Sequence, residues 1–325
     1  MHAWQFDHYG HYSENLHWVE RPMPTPGFGE ALVRTRAVSL NFPDLLIVQG
    51  MYQHKAPLPA VPGVEGVGIV EAVGPGSKFK VGDRAVGFCH GGGTLADCFL
   101  VHNHSAWTVP AHVTDEQAAA LSVTYGTSYF GLYHRAHLKP GETLLVLGAA
   151  GGVGTAAIQI AKAAGAKVIA AASTDDKCAL CKELGADATI NYSTDNLRDA
   201  LKALTGGKGP DVVYDPVGGD FAEPAFRSIA WLGRYLIIGF AGGPIPALPL
   251  NLPLLKGASL VGVFWGDFAR REPQANAAMM AELAQWYGQG KIKPVIDRAM
   301  PMRELKAAYA HMGSRGVKGK LVMVN

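Results

Sequence analysis

Hydrophobic positions along the chain change their pattern near residue 114. Before it, short apolar runs are separated by turn signals rich in proline and glycine, at residues 24–29, 74–76 and 82–83. The runs at 31–38 and 66–73 are rich in β-branched residues and alternate in part with polar ones, which predicts strands. The N-terminal third of the chain is therefore predicted to be mainly β.

After residue 114, short apolar runs alternate with helical patterns. Residues 114–117 form a capping box, Thr-Asp-Glu-Gln, that predicts the start of a helix. A second helical pattern covers 122–137. Strands are predicted at 143–147, 167–172, 189–190, 212–214 and 235–239, with helices that include 155–164 and 175–184. The tail is predicted to hold helices near 275–287 and 304–311 and a last strand at 319–324. Continuous apolar strands alternating with helices indicate a parallel sheet covered on both faces.

The composition of the chain limits the classes of protein to which it can belong. The chain has 325 residues, 48% of them hydrophobic and 17% charged, which predicts about two folded domains. The net charge of +2 argues against a nucleic-acid partner. The N-terminal residues lack the basic and apolar regions of a signal peptide. Glycines interrupt the apolar stretch at 144–161, which argues against a membrane span. A cytoplasmic location is expected.

The strongest local motif is the glycine-rich turn that ends at Gly154, between an apolar strand and an alanine-rich helix. Such a turn lets the backbone approach a pyrophosphate, and the helix N-terminus supplies free N–H groups. Gly148, Gly151 and Gly154 depart from Gly-x-Gly-x-x-Gly by one inserted residue; alternatively, Ala149 takes the first glycine position. A tight turn without a ligand is the other interpretation. The predicted cofactor-binding residues here are Ala150, Gly151, Gly152, Val153 and Gly154.

The end of the second predicted strand bears on the choice of dinucleotide. NAD sites usually place an acidic residue there to bind the ribose 2′-hydroxyl. Here the strand ends Ala-Ala-Ala-Ser-Thr at 170–174, and Asp175 follows only in the next turn. The hydroxyl of Ser173 and the cation of Lys177 suit a 2′-phosphate, so NADPH is favoured over NADH. The alternative is a solvated lysine at a helix start.

Several further segments occur in the order typical of one family. They are Asn-Phe-Pro-Asp at 41–44, Gly-Met-Tyr at 50–52, Pro-Gly-Val-Glu-Gly-Val-Gly at 62–68, Val-Gly-Asp-Arg-Ala-Val at 81–86 and Gly-Ser-Arg-Gly-Val-Lys-Gly-Lys at 313–320. With the glycine-rich turn, they make the whole chain resemble the medium-chain dehydrogenase/reductase superfamily, in its zinc-independent quinone oxidoreductase branch that includes ζ-crystallin. The resemblance implies a mainly β, GroES-like catalytic domain at 1–120, completed by 266–325, and a Rossmann domain of doubly wound parallel sheet at 121–265.

The same resemblance implies roles for individual residues in a cleft that holds the nicotinamide. The residues implied around the adenosine phosphate are Ser173, Lys177, Tyr192 and Arg315. Those implied near the nicotinamide are Thr127, Phe240, Phe264 and Trp265. Reduction places charge on the oxygen of the acceptor, which needs hydrogen-bond donors, and the candidates for catalysis are Asn41 and Tyr52. Tyr52 is alternatively an aromatic wall of the cleft, and Asp44 is expected to order a loop rather than act as a base.

The residues argue against a metal site. Zinc-dependent relatives have a Cys where this chain has Asn41 and a His where it has Val64. A structural zinc lobe needs four closely spaced cysteines, which Cys89 and Cys98 cannot supply. The pair His102 and His104 is interpreted as surface histidine. Cys178 and Cys181 are expected to pack within a helix rather than form a redox pair.

The sequence thus predicts an NADPH-dependent reductase that transfers hydride to quinones or α,β-unsaturated carbonyl compounds without zinc. The implied homodimer pairs through the apolar run at 258–264, because bare strand edges are prone to association. One alternative is an enoyl-thioester reductase, which needs a basic patch that the sequence does not make obvious. Another is a non-catalytic NADPH-binding protein with a crystallin-like or RNA-binding role.

Overall fold

The computed structural model describes residues 1–53 and 55–325 and divides into two compact units. Unit 1 consists of Met1–Val123, Ala269–Met280 and Pro294–Asn325, and unit 2 of Thr124–Phe268 and Ala281–Lys293. The domain boundaries predicted from the sequence, after residues 120 and 265, lie three residues from these divisions. The assignment of Ala281–Lys293 to unit 2 has no counterpart in the prediction.

The strands are numbered in chain order: β1 (His2–Gln5), β2 (His17–Glu20), β3 (Glu30–Ser39), β4 (Glu65–Val73), β5 (Arg84–Phe88), β6 (Cys98–His102), β7 (Ala106–Thr108), β8 (Thr143–Val146), β9 (Lys167–Ala172), β10 (Ala188–Asn191), β11 (Val212–Asp215), β12 (Arg234–Ile237), β13 (Ser259–Gly262), β14 (Ile296–Pro301) and β15 (Lys320–Val324).

The α-helices are α1 (Tyr12–Asn15), α2 (Phe42–Val48), α3 (Asp115–Ala119), α4 (Ser122–Tyr129), α5 (Gly152–Ala163), α6 (Asp175–Glu183), α7 (Leu197–Leu204), α8 (Ala222–Ser228), α9 (Asn251–Lys256), α10 (Trp265–Arg271), α11 (Pro273–Gly288) and α12 (Leu305–Gly313). A π-helix, Phe130–Arg135, continues α4, and two 3₁₀ helices cover Gly219–Phe221 and Met302–Glu304. Among the described residues, none of these helices is both long and apolar enough to cross a membrane.

Unit 1 is built on a mainly antiparallel sheet in the order β14-β15-β3-β4-β5-β7, with β6 also paired to β3. Its central strand β3 is ten residues long and largely buried, and it pairs with β4, β6 and β15. A core cluster that includes Val33, Val70 and Phe99 lies against this sheet. This is the β-rich domain that the N-terminal pattern predicts.

Unit 2 contains a six-stranded, fully parallel sheet in the order β10-β9-β8-β11-β12-β13. Counted from β8, this is the 3-2-1-4-5-6 order of the Rossmann fold. The central strand β8 has three fully buried residues in a row, Leu144, Leu145 and Val146, since helices cover both faces of such a sheet. The predicted doubly wound fold is confirmed.

The elements that differ from the sequence-based expectations include α2, the helical pattern at 122–137 and β14. Helix α2 falls where only strands and turns are predicted, although Asn41 at its N-cap, Pro43 and Asp44 form a helix-start signal. The helical pattern at 122–137 splits, because α4 continues as a π-helix over Phe130–Arg135. Strand β14 has no predicted counterpart; it extends the sheet by parallel pairing with β15.

Candidate functional site

The carboxyl ends of the parallel strands of unit 2 meet at one edge of its sheet. Strand β8 lies between β9 and β11, which is the point where the order of the strands reverses. Ligands of open α/β sheets bind outside the carboxyl ends of the strands at such a point. The loops after β8, β9, β10, β11 and β12 therefore form the candidate cofactor site, which we call the nucleotide edge.

The glycine-rich turn occupies the centre of the nucleotide edge. Gly151 is the N-cap of α5 in an extended conformation, and it has no side chain to satisfy the first N–H groups of the helix. A Cβ atom at Gly154 would lie 2.6 Å from the carbonyl oxygens of Gly148 and Ala149. A larger residue at position 154 would therefore displace the turn, which has the geometry of a pyrophosphate site.

Ser173, Lys177 and Tyr192 come together at the ends of β9 and β10. The Lys177 Nζ donates to Ser173 Oγ at 3.3 Å, and Thr174 caps α6 by accepting from the Lys177 N–H. The Tyr192 N–H donates to the carbonyl of Ala172, which anchors this residue beside Ser173. All three predicted residues are half-buried, and the Lys177 cation and the Ser173 hydroxyl lie together at the edge of the sheet that carries the glycine-rich turn.

Helix α4 is tied to the same turn. The Ser128 Oγ donates to the carbonyl of Val153 at 3.0 Å and is 2.9 Å from the hydroxyl of Tyr214. Gly126 packs on Trp265, since a Cβ at Gly126 would lie 2.6 Å from Trp265 Cε2. Thr127 lies between Gly126 and Ser128 in α4 and is half-buried, and its predicted role near the nicotinamide stays a prediction.

Phe240 and Phe264, two other predicted residues of unit 2, differ in their exposure. Phe240 follows β12 and is half-buried. Phe264 is 50% exposed, which separates it from its buried neighbour Trp265. Arg315 belongs to unit 1, where it has a positive φ of 58° just after α12. Its predicted role at the adenosine phosphate stays a prediction.

Asp215, at the end of β11, is a residue of the nucleotide edge that sequence reasoning missed. Its buried carboxylate accepts from the N–H groups of Val217 and Gly218 at 2.8 Å and from the Tyr235 hydroxyl at 2.6 Å. Burial raises the pKa of Asp215, and these three donors oppose that effect. The carboxylate thus holds the turn after β11. An acid directly after an apolar strand was the signal that could have revealed it.

Unit 1 contains a buried charge cluster formed by Asn41, Asp44, Glu65 and Lys320. Strand β15 pairs with β3 so that Val322 lies opposite Ser39, and continuing this register brings Lys320 beside Asn41. Strand β4 pairs with the other side of β3, with Gly66 opposite Val38, which brings Glu65 to the same end. The cluster is therefore a product of strand register, and its members are at most 6% exposed.

Within the cluster, Lys320 is bound by Asn41 and Glu65. Its Nζ donates to Asn41 Oδ1 at 2.6 Å and to Glu65 Oε1 at 3.1 Å. Asn41 Nδ2 donates to Glu65 Oε1 at 2.9 Å and to the Ser39 carbonyl at 3.3 Å. Both hydrogens of the Asn41 amide are thus already donated inside unit 1. The other Glu65 oxygen accepts from the Val123 N–H at 2.8 Å.

Asp44 is fully buried and caps α2. Its Oδ2 accepts from the Asn41 N–H at 2.7 Å, whereas its Oδ1 has no hydrogen-bond partner among the described residues. Burial, helped by the charge of Glu65, raises the pKa of Asp44 to about 7, against the lowering effects of the Asn41 N–H, the Lys320 charge and the Val64 N–H. The half-buried Tyr52 follows α2, and its pKa is raised by burial and by the charge of Asp44.

The remaining candidates for metal or redox chemistry are placed as follows. The rings of His102 and His104 lie 4.9 Å apart near the surface of unit 1. Cys178 and Cys181 are buried free thiols in α6, and burial raises the pKa of both. Residues 1–53 and 55–325 hold no group of three or more His, Cys, Asp or Glu side chains arranged to bind a metal ion.

Comparisons with known proteins agree with this architecture. Residues 152–285 match the family described as zinc-binding dehydrogenase, and residues 27–111 match the alcohol dehydrogenase GroES-like domain. The quinone oxidoreductase-like protein 2 of Bos taurus is 40% identical over 296 residues, which are 90% of this chain and 84% of that protein.

Solved structures give the same result at the level of the whole fold. The crystal structure of Escherichia coli quinone oxidoreductase complexed with NADPH is 30% identical, covers all of both chains and has a TM-score of 0.92. That of the CurK enoyl reductase is 27% identical, covers 99% of this chain and 98% of its own, and has a TM-score of 0.90. The protein therefore belongs to the medium-chain dehydrogenase/reductase superfamily of oxidoreductases, in its quinone oxidoreductase branch.

Proposed function

We propose that the protein is an NADPH-dependent reductase that transfers hydride to quinones or α,β-unsaturated carbonyl compounds without zinc. The observation that carries the proposal is the pairing of Lys177 with Ser173 at the end of β9, next to the glycine-rich turn. A cation and a hydroxyl at this position bind a phosphate on the adenosine ribose, where an acidic residue would repel it. The NADPH complex of the Escherichia coli relative supports the same cofactor.

The buried charge cluster supports a reaction without zinc. At the two positions where zinc-dependent relatives have Cys and His, this chain has Asn41 and Val64, and neither supplies a thiolate or an imidazole. The Asn41 oxygen is bound to the Lys320 ammonium at 2.6 Å. The Lys320 ammonium thus compensates the charge of Glu65, and it would repel a zinc ion placed beside Glu65.

We assign Tyr52 as the residue that donates a hydrogen bond to the acceptor's oxygen. Bound NADPH supplies the hydride, and the oxygen of the acceptor then gains negative charge that a hydrogen-bond donor stabilises. Among residues 1–53 and 55–325, no hydrogen bond engages the half-buried Tyr52 phenol, whereas the Asn41 amide has donated both of its hydrogens to Ser39 and Glu65. We therefore assign Tyr52 as the catalytic donor and Asn41 as a positioning residue that holds Glu65 and Lys320.

Steady-state kinetics with both nicotinamide cofactors test this function. We expect NADPH to be oxidised in preference to NADH when a quinone or an enone is supplied, with no loss of activity after treatment with a zinc chelator. Absence of turnover with every acceptor would instead support the non-catalytic alternative. Stoichiometric zinc by elemental analysis would contradict the zinc-free mechanism.

A second candidate function is reduction of an enoyl thioester. The observation that favours it is the whole-chain similarity to the CurK enoyl reductase. The same hydride transfer and the same Tyr52 donor would serve an enoyl thioester, because its carbonyl also gains charge. A crotonyl thioester in the acceptor panel separates the two: a kcat/KM above that of every quinone and free enone would favour this alternative.

We also propose a homodimer formed through the outer edge of β13. This strand ends the parallel sheet, and the structure shows exposed apolar side chains around it: Trp231, Leu232, Leu254, Leu255 and Leu260. Long bare edges with apolar neighbours associate unless they are covered. Sedimentation at micromolar concentration is expected to give twice the chain mass of 34.4 kDa. The cytoplasmic location stays a prediction from the sequence.

A further inference from the structure

We propose that Asp215 positions the glycine-rich turn and thereby sets the affinity for the pyrophosphate that NADPH and NADH share. It acts through residues 215–218, which end β11 and follow it, and which we call the buttress turn. The inference deepens the proposed function and rests on it in one respect, the binding of a nicotinamide dinucleotide. It concerns neither the acceptor nor the zinc-free chemistry.

The first step is the way in which Asp215 fixes the buttress turn. The residue is 3% exposed, and its Oδ1 accepts from the N–H groups of both Val217 and Gly218 at 2.8 Å. Its Oδ2 accepts from the buried Tyr235 hydroxyl on β12 at 2.6 Å. A carboxylate that accepts from backbone N–H groups two residues on closes a turn. One oxygen of Asp215 therefore holds the turn, and the other holds the neighbouring strand.

The second step is the contact between the buttress turn and the glycine-rich turn. A Cβ atom at Gly148 would lie 2.7 Å from Val217 Cγ2, so the lack of a side chain at Gly148 lets Val217 pack directly on it. The Gly148 carbonyl in turn accepts from the N–H of Gly151, the N-cap of α5, at 3.0 Å. Val217 thus supports the backbone that leads into the N-terminus of α5.

The loop after β12 holds the buttress turn on its other side. The Gly242 N–H donates to the Val217 carbonyl at 2.7 Å, and a Cβ atom at Gly242 would lie 2.8 Å from Val217 Cγ1. Gly218 has a positive φ of 65°, and a Cβ atom there would lie 2.9 Å from Phe240 Cδ1. The buttress turn is therefore packed between the glycine-rich turn and the loop that carries Phe240, so a displacement of the buttress turn would displace these neighbours.

The third step links this support to the pyrophosphate. The first N–H groups of α5 bind an anion only when they lie within hydrogen-bond distance of its oxygens. Without the Asp215 carboxylate, its three donors lose their acceptor, and the buttress turn rearranges to satisfy them. Val217 then no longer supports Gly148, and the N–H groups lose their alignment. Because both dinucleotides carry the pyrophosphate, both affinities should fall by the same factor, whereas Lys177 acts on NADPH alone.

Calorimetric titration of Asp215→Ala and Asp215→Asn with NADPH and with NADH tests the proposal. The alanine variant should bind both dinucleotides roughly tenfold more weakly, since the turn loses all three hydrogen bonds. The asparagine variant should bind them nearly as the wild type does, because its amide oxygen accepts from both N–H groups and its amide nitrogen donates to the Tyr235 hydroxyl. A loss confined to NADPH, or an asparagine variant as weak as the alanine variant, would overturn the proposal.

Val217→Ala leaves the hydrogen bonds of Asp215 in place and decides the question if Asp215→Ala does not fold. It removes the two methyl groups that pack on Gly148 and Gly242, and it should weaken both dinucleotides roughly threefold. The matched control is Val213→Ala, which removes the same groups from a core position of β11. The control should lower the melting temperature and change neither affinity. Unchanged affinities in Val217→Ala, or an equal loss in Val213→Ala, would overturn the proposal.

These titrations separate the inference from the proposed function, because they need no acceptor. A wild type that binds both dinucleotides but reduces no quinone or enone would contradict the proposed reductase, and the variants would still decide the role of Asp215. A wild type that binds neither dinucleotide would overturn both.

Discussion

The nucleotide edge of unit 2 and the buried charge cluster of unit 1 are assembled in opposite ways. In unit 2, consecutive βα turns bring local motifs to one edge of a parallel sheet. The residues of the glycine-rich turn are neighbours in the sequence, and Ser173 and Lys177 are four residues apart. In unit 1, antiparallel register joins Asn41 to Lys320, which is 279 residues away in the sequence.

Because of this difference, substitutions in the two regions should have different consequences. The nucleotide edge depends on backbone shape and on half-exposed side chains, so substitutions there should change binding more than stability. The charge cluster is buried, and an unpaired charge in it is costly. Substitutions in the cluster should therefore change the free energy of unfolding first and activity second.

The largest effect is expected from Lys320→Met, which removes the ammonium and leaves Glu65 buried without its counter-charge. Breaking one partner of a buried pair costs about 3–5 kcal/mol. Urea unfolding should show this loss, and the double variant Lys320→Met with Glu65→Gln should recover part of it. A single variant as stable as the wild type would show that the pair contributes nothing to the fold.

The next effect concerns the pH dependence of stability. Because the pKa of Asp44 is raised from 3.8 to about 7, the folded protein binds this proton more tightly than the unfolded chain. Its contribution to stability is present below pH 4 and is lost as the pH rises to 7. Asp44→Asn does not titrate, so between pH 5 and pH 8 the difference in stability should shift in favour of the variant by about 2.6 kcal/mol. A constant difference between the two proteins would contradict this.

At the nucleotide edge, Lys177→Ala should weaken NADPH binding roughly tenfold or more and spare NADH. A charge-assisted contact contributes about 1.5–3 kcal/mol. The matched control is Lys182→Ala, an exposed lysine of the same helix α6, which should change neither affinity. Equal affinities of the native protein for NADPH and NADH, measured by calorimetry, would refute the role of Lys177.

The smallest effect is expected from Tyr52→Phe, which removes one hydrogen-bond donor and keeps the ring. We expect roughly a tenfold loss in kcat/KM for enones, less than the loss of a donor in a water-excluded site, because water can replace a half-buried phenol. Quinones should suffer less, since they accept hydride without prior polarisation. Unchanged values for both acceptors would make Tyr52 a wall residue.

The sequence predicted an element correctly where the residues of that element alone show its hydrophobic pattern or its cap. The strands of the parallel sheet appear as apolar runs because both faces of that sheet are buried. Helix α2 escaped prediction because its Leu-Leu-Ile-Val segment is rich in β-branched and apolar residues, and its cap and its burial override that preference. Strand β14 escaped because its pairing with β15 is decided by tertiary contact.

By itself, the sequence determined the parallel sheet, the glycine-rich turn and the acid-free end of β9, since each depends on residues that are neighbours in the chain. Only the tertiary structure decided that Lys320 compensates Glu65, that both Asn41 amide hydrogens are donated, and that one buried oxygen of Asp44 has no hydrogen-bond partner among the described residues. The physical reason is register: a shift of one residue between β3 and β15 would turn Lys320 to the other face of the sheet.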